Sequence, residues 1–258
     1  MLPAIIDAHA HPFLSKRDNT SFLYYGTGPK SPDDFVAQLR RAGITRACGS
    51  VIRPLDGVDF NEIRGLNDDA VEMARMFPDF FIPGMHINPS FPEESCREIE
   101  RMRAQGVRFV GELVSYMMGH DGYAMRAAFP VYDLMQQLGM VLNIHPADES
   151  DTDILLRQFP RLQVILAHPG EKREYLLHLD RMMRFDNAHL DLSGTGLFRN
   201  GMLRYGIDRI GRDRFIFGTD YPICNPAMQV HGVMYEELTD DEREAVFSKN
   251  FLRLMGEG

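Results

Sequence analysis

The chain has 258 residues, 44% apolar and 25% charged, with a formal net charge of −9. That length suits one large α/β barrel whose core needs no disulfides. The acidic balance argues against a nucleic-acid or anionic-membrane partner, either of which wants a basic face, and no apolar run approaches the roughly 20 residues that span a bilayer. Cys48, Cys96 and Cys224 are odd in number, far apart and in no Cys-x-x-Cys pattern, which fits a reducing compartment. The start of the chain shows neither a basic segment nor a long apolar stretch, so no secretory signal is expected and the expected location is cytoplasmic.

Short β-branched apolar runs alternate with longer amphipathic stretches along the chain. The expected strands are Ala4–His9, Arg46–Ile52, Phe80–Ile87, Val107–Leu113, Met140–His145, Gln163–His168, Ala188–Leu192 and Phe215–Thr219. Between them the expected helices are Pro32–Arg41, Glu62–Phe77, Pro92–Gln105, Ala124–Leu138, Asp151–Phe159, Tyr175–Arg184 and Gly201–Ile210. Ser31 followed by Pro32 is a helix start, and Gly43, Gly106 and Gly139 suit helix ends. Eight strands alternating with helices predict a single (β/α)8 TIM barrel over residues 1–258, closed by a C-terminal helix in Asp240–Met255. A doubly wound open sheet would more often carry a glycine-rich phosphate loop after its first strand, and none is present.

The polar residues at the strand ends carry the functional signal. In Asp7-Ala8-His9-Ala10-His11-Pro12 two histidines two residues apart leave one strand end on the same side, a spacing suited to a metal. Glu112 ends the fourth strand, His145 the fifth, His168 the sixth and Asp220 follows the eighth. In a barrel these ends converge on one face, where such enzymes place their active sites. One histidine after an apolar run is as often a hydrogen-bonded core residue as a functional one. Four of the chain's nine histidines in such places are hard to reach by chance. Asp220 ends a Phe-Ile-Phe strand, where burial of a carboxylate is costly unless a cation compensates it. His178, within a helix pattern, and His189, at a strand start, read as structural. His86 follows the third strand and is a weaker candidate for touching substrate.

The motifs Asp7-Ala8-His9-Ala10-His11, Asn143-Ile144-His145, Leu166-Ala167-His168-Pro169-Gly170 and Phe217-Gly218-Thr219-Asp220-Tyr221-Pro222 resemble those of the amidohydrolase superfamily. The resemblance is closest to the amidohydrolase-related branch that includes aminocarboxymuconate-semialdehyde decarboxylase-like enzymes. It implies that His9, His11, His145 and Asp220 bind one divalent metal, with zinc expected. It makes His168 a nearby catalytic residue or the ligand of a second ion. No lysine lies in the fourth strand, which excludes a carboxylated-lysine bridge of the kind that many binuclear relatives use. Glu112 is then free to ligate the metal, to bridge two, to orient a ligand from behind, or to pair structurally with Arg108 or another arginine.

The expected reaction is metal-assisted hydrolysis of an amide, lactone or ester. In it Asp220 accepts the proton of a metal-activated water and His168 orients that water or polarises the carbonyl. The alternative is non-oxidative decarboxylation of an aromatic or unsaturated acid, for which Arg53 and Arg199, just after the second and seventh strands, are candidate carboxylate anchors. The third is a metal-stabilised binding protein without catalysis. All three take a small-molecule ligand and leave a homo-oligomer open. The long loop Phe13–Lys30 is a candidate lid carrying Tyr24 and Tyr25, and Ser115–Tyr123, with Met117 and Met118, is a candidate pocket lining.

Overall fold

Each apolar run forms a parallel strand, in the order in which the chain supplies them. They are β1 (Ile6–Ala10), β2 (Arg46–Gly49), β3 (Phe81–Met85), β4 (Phe109–Leu113), β5 (Val141–Ile144), β6 (Gln163–Leu166), β7 (Ala188–Asp191) and β8 (Phe215–Ile216). This is a computed structural model, and it describes residues 4–23, 25–55, 59–146, 148–197 and 199–257. The outer edges of the sheet meet through an isolated parallel bridge between Ala10 and Tyr221. Backbone hydrogen bonds from Ala8 N to Phe217 O (2.9 Å) and from His11 N to Tyr221 O (2.8 Å) continue that seam. The result is the (β/α)8 barrel that the strand–helix alternation predicts.

The surrounding helices are α1 (Pro32–Arg41), α2 (Phe60–Met76), α3 (Pro92–Arg103), the short α4 (Ser115–Met118), α5 (Phe129–Gln137), α6 (Glu149–Gln158), α7 (Lys172–Arg184), α8 (Met202–Ile210) and α9 (Pro226–Tyr235). Two further helices, α10 (Asp240–Glu244) and α11 (Asn250–Met255), are joined by a π turn over Ala245–Lys249. The Ser31 side chain accepts a hydrogen bond from Asp34 N at 3.1 Å and so starts α1 where the sequence places it. The helix expected from Ala124 begins only at Phe129, after a 3₁₀ turn, because Pro130 has no amide to donate and belongs in a first turn. Helix α9 is not anticipated: its apolar residues form no stripe, although Asn225 and Pro226 give it a cap and a first turn.

Apart from β1 and β4, the strands end earlier than the apolar runs suggest, and the shortfall builds the site. Past Ile216 the chain leaves β7 for new partners. Phe217 N bonds Val246 O at 3.0 Å, and Thr219 N bonds the Asp7 carboxylate at 3.0 Å. At the other end of the barrel, Ile6, Ala8, Cys48, Phe109, Val141, Ile165 and Ile216 form one cluster with Phe251 and Met255 of α11. Residues from six strands meet in this way only inside the barrel, so α11 plugs the end opposite the site.

Candidate metal centre

At the carboxyl ends of the strands four imidazoles surround one carboxylate. Glu112 Oε2 lies 3.3 Å from His9 Nε2 and 3.6 Å from His11 Nε2. Its other oxygen, Oε1, lies 2.9 Å from His145 Nδ1 and 3.3 Å from His168 Nε2. Asp220 Oδ1 closes the first side, 3.4 Å from His11 Nε2 and 3.8 Å from His9 Nε2. Thus His9, His11 and Asp220 stand on one side of Glu112, and His145 and His168 on the other.

Backbone and neighbouring groups fix each member. A register shift in the pairing of β4 with β5 falls between Val110 and Leu113, around Glu112. Gly111 there has φ +110, and a Cβ on it would stand 2.1 Å from Asn143 O, so only glycine fits. His168 and Asp220 hold the left-handed region at φ 65 and 61, uncommon for residues with a side chain. Asp220 N bonds His9 O at 2.7 Å, and His168 N bonds Asp191 Oδ1 at 3.2 Å. His11 Nδ1 donates to Ser50 O at 3.2 Å. His9 Nδ1 donates to Asp191 Oδ2 at 2.8 Å, which turns Nε2 toward Glu112 and Asp220.

Burial alone would raise the Glu112 pKa, but the charges of His9 and His168 and hydrogen bonds from His11 and His145 hold it well below the usual range. Against the opposing effect of burial, Asp191 and Glu112 raise His9 well above its ordinary value. In the same way Glu112 raises His168 to about 9. The cluster therefore demands positive charge. A divalent cation meets that demand, and the donors suit one: His9 Nε2 is buried without a hydrogen-bond partner, while imidazole and carboxylate together suit zinc or manganese. The sets His9, His11, Glu112 and Glu112, His145, His168 each bring ligand atoms within 4.8 Å of one another. A metal-binding cluster of histidine and carboxylate is therefore present.

Other candidates lie elsewhere. Arg53 Nε is 2.9 Å from Asp18 and its Nη1 is 3.3 Å from Glu62, and Arg199 pairs with Glu171 at 3.0 Å. His86 is fully buried, donates from Nε2 to Val51 O at 2.9 Å, and is pushed down to about 4 by burial. None of these three lines the cavity over the cluster. Arg108 bonds Gly139 O, so the histidines, rather than Arg108, surround Glu112. Tyr24 lies outside the described residues. Tyr25 is exposed and lines a separate cleft.

The sequence reading does not single out Asp191, which ends β7 and holds His9. Nor does it single out Asp7, fully buried under Thr219 and pushed up to about 7 by that burial. Asp191 and Ser193 carry the same two-residue spacing as His9 and His11, a signal hidden when Leu192 is taken as the strand's end.

Parallel strands in a closed ring with histidines and acids at their carboxyl ends define a metal-binding (β/α)8 scaffold. The sequence profile of the family described as Amidohydrolase matches residues 6–256, and the chain belongs to that family. A gamma-resorcylate decarboxylase from a Rhizobium species is 24% identical over 216 residues, covering 63% of this chain and 66% of that protein, just under two thirds of its length. The solved structure of 2,6-dihydroxybenzoate decarboxylase from Rhizobium matches with a TM-score of 0.80 at 18% identity over 99% of both chains. A dihydroxybenzoic acid decarboxylase from Polaromonas, solved with manganese and the inhibitor 2-nitroresorcinol, gives a TM-score of 0.75 at 16% identity, covering 99% of this chain and 97% of that one.

These relatives correct two expectations. They are decarboxylases of aromatic acids, which overturns the expectation of a carbonyl hydrolase. The metal named in the Polaromonas structure is manganese, so zinc as the expected ion loses its support. On location, no helix among the described residues is long and apolar enough to cross a membrane.

Proposed function

We propose that the protein is a metal-dependent, non-oxidative decarboxylase of a small aromatic carboxylic acid. The observation that carries this reading is a cavity of about 220 Å³ directly over the cluster. Its floor is His11, Glu112, His145, His168 and Asp220, and Ile52, Val114, Met117 and Ile223 supply apolar wall. A cavity of about 150 Å³ is known to take benzene, so this one has room for a single substituted ring. The Tyr116 ring stands edge-on to His145 at 5.6 Å on the rim, largely exposed, where it can cover a bound ring.

The reaction adds a proton to the ring carbon bearing the carboxylate. The bond to the carboxylate carbon then breaks, its electron pair restores the aromatic ring, and carbon dioxide leaves. A divalent ion, with manganese favoured by the relatives, would be held by His9, His11, His145 and Asp220 and would supply positive charge that anchors the anionic substrate. Asp220 delivers the proton through Oδ2, the oxygen on the side of the cavity-lining Cys224, whose Sγ is 3.8 Å away. His168 faces the same cavity and orients an oxygen substituent of the ring by hydrogen bonding. The apolar wall keeps water from competing for the reacting carbon.

A second arrangement rests on the division of the Glu112 oxygens between two histidine pairs: the site would hold two ions, with Glu112 a ligand shared by both. Counting metal separates the two, one equivalent per chain against two. The three cysteines are free, which supports a reducing, cytoplasmic setting.

The test is carbon dioxide release from hydroxy- and methoxy-substituted benzoates by manganese-loaded protein. Turnover of at least one such acid, abolished by chelation and restored by manganese, is the expected result. Metal-loaded, folded protein that turns over no aromatic carboxylate overturns the reading.

A further inference from the structure

We propose that Ser193 is a positioning residue that fixes which nitrogen His168 presents to the cavity. Asp191 sits at the end of β7, fully buried, and each of its oxygens faces an amide N–H that can only donate, so both oxygens accept. Oδ2 takes His9 Nδ1 at 2.8 Å and Asn143 Nδ2 at 2.9 Å. Oδ1 takes the backbone amides of His168 and Ser193 at 3.2 and 3.0 Å, and the Ser193 hydroxyl at 2.6 Å.

A serine hydroxyl has one proton. With that proton given to Asp191, Ser193 Oγ can only accept from its other neighbours. His9 Nδ1 is 3.1 Å away but closer to Asp191. His168 Nδ1, at 3.0 Å, is the donor that remains. Nδ1 of His168 therefore carries a hydrogen, and Nε2 is the atom turned to Glu112 and the cavity. The next residue completes the seat. A Cβ on Gly194 would stand 2.4 Å from His168 Nδ1, so glycine lets the ring lie against this backbone. One carboxylate thus sets the ring of His9 directly and that of His168 through a single hydroxyl.

Part of the test rests on the proposed activity and part does not. In protein labelled with ¹⁵N-histidine and loaded with zinc, chosen because it is diamagnetic, the expected spectrum shows His168 Nδ1 protonated. An unprotonated Nδ1 in the unaltered protein overturns the proposal whether or not the enzyme decarboxylates anything. Ser193→Ala, nearly isosteric, should move the Nδ1 signal toward the unprotonated range while leaving metal content unchanged. In turnover, Ser193→Ala should lower kcat about tenfold with KM within twofold, on the scale of lost supporting hydrogen bonds. In a His168→Asn background the same change should cost nothing further, because a residue acting through His168 has no effect once His168 is gone. An equal loss in both backgrounds overturns the proposal and makes Ser193 a packing residue.

Discussion

The two halves of the barrel interior are built from opposite materials. Toward the amino ends of the strands, Ile6, Phe109, Val141, Ile165 and Ile216 meet Phe251 and Met255 in an apolar plug. Toward the carboxyl ends, Glu112, Asp191 and Asp220 crowd against His9, His11, His145 and His168, and two side-chain-bearing residues hold left-handed backbone. Burial stabilises the first half directly. It penalises the second half until charges compensate one another. The histidines make the same point within one residue type. His9, His11 and His168 face carboxylates and are pushed up, whereas burial pushes His86, His178 and His189 down. A fold of this kind keeps its stability at one end so that the other can hold groups that would not otherwise coexist.

The contrast is easiest to break at the plug. Phe251 packs on Phe109 with ring centroids 6.0 Å apart. Phe251→Ala should cost about 3–5 kcal/mol of stability yet leave metal affinity of the folded protein within twofold, as measured by urea unfolding and metal titration. A large loss of metal affinity would show that the two halves are not independent. At the other end, His168→Asn should leave melting and most of the metal unchanged while lowering turnover by about 100-fold. Loss of half the metal or more would instead make His168 a ligand. Glu112→Gln removes a charge and little volume. It should weaken metal binding roughly 10- to 100-fold if Glu112 supports the site from behind, and should reduce two equivalents to one if it bridges. Unchanged affinity and turnover would return Glu112 to a structural role.

The smallest effect concerns the depressed histidines. His189 lies at about 3 in the folded chain against an ordinary 6.5, so the unfolded state binds the extra proton between those values. Its contribution to stability is complete above pH 6.5 and is lost as the pH falls toward 3. Between pH 7.5 and 5, His189→Gln should remove about 2 kcal/mol of the pH dependence of unfolding. An unaltered slope in the variant would contradict the assignment.

The barrel was legible because a strand buried on both faces reads as an unbroken apolar run, and five of the eight runs led into a polar residue that such a run does not explain. His145 and His168 stand out after Val-Leu-Asn-Ile and Val-Ile-Leu-Ala for this reason. Asp191 does not, because Leu192 follows it and prolongs the apolar pattern. The division of the histidines around Glu112 was not legible at all: it depends on a register shift in β4 that the pattern of apolar residues does not encode. Arg53 and Arg199 occupy suggestive places in the chain, but a long side chain can point either way. Both turn to acids of neighbouring loops and helices.

The cavity over the cluster has a floor and walls of different origin. Its ionisable floor comes from strand ends, while Tyr116 and Met117 come from α4, and Ile52 and Ile223 from the segments after β2 and β8. The side chains of Ile52, Met117 and Ile223 are apolar and give the cluster no hydrogen bond, although Ile223 N bonds Asp220 O at 2.9 Å through the backbone. Mutation can therefore reshape the pocket one side chain at a time without disturbing the ionic cluster beneath it. Descendants of such a chain can change diet without relearning chemistry, and divergence between neighbours of this fold should be sought first in the loops after the second, fourth and eighth strands.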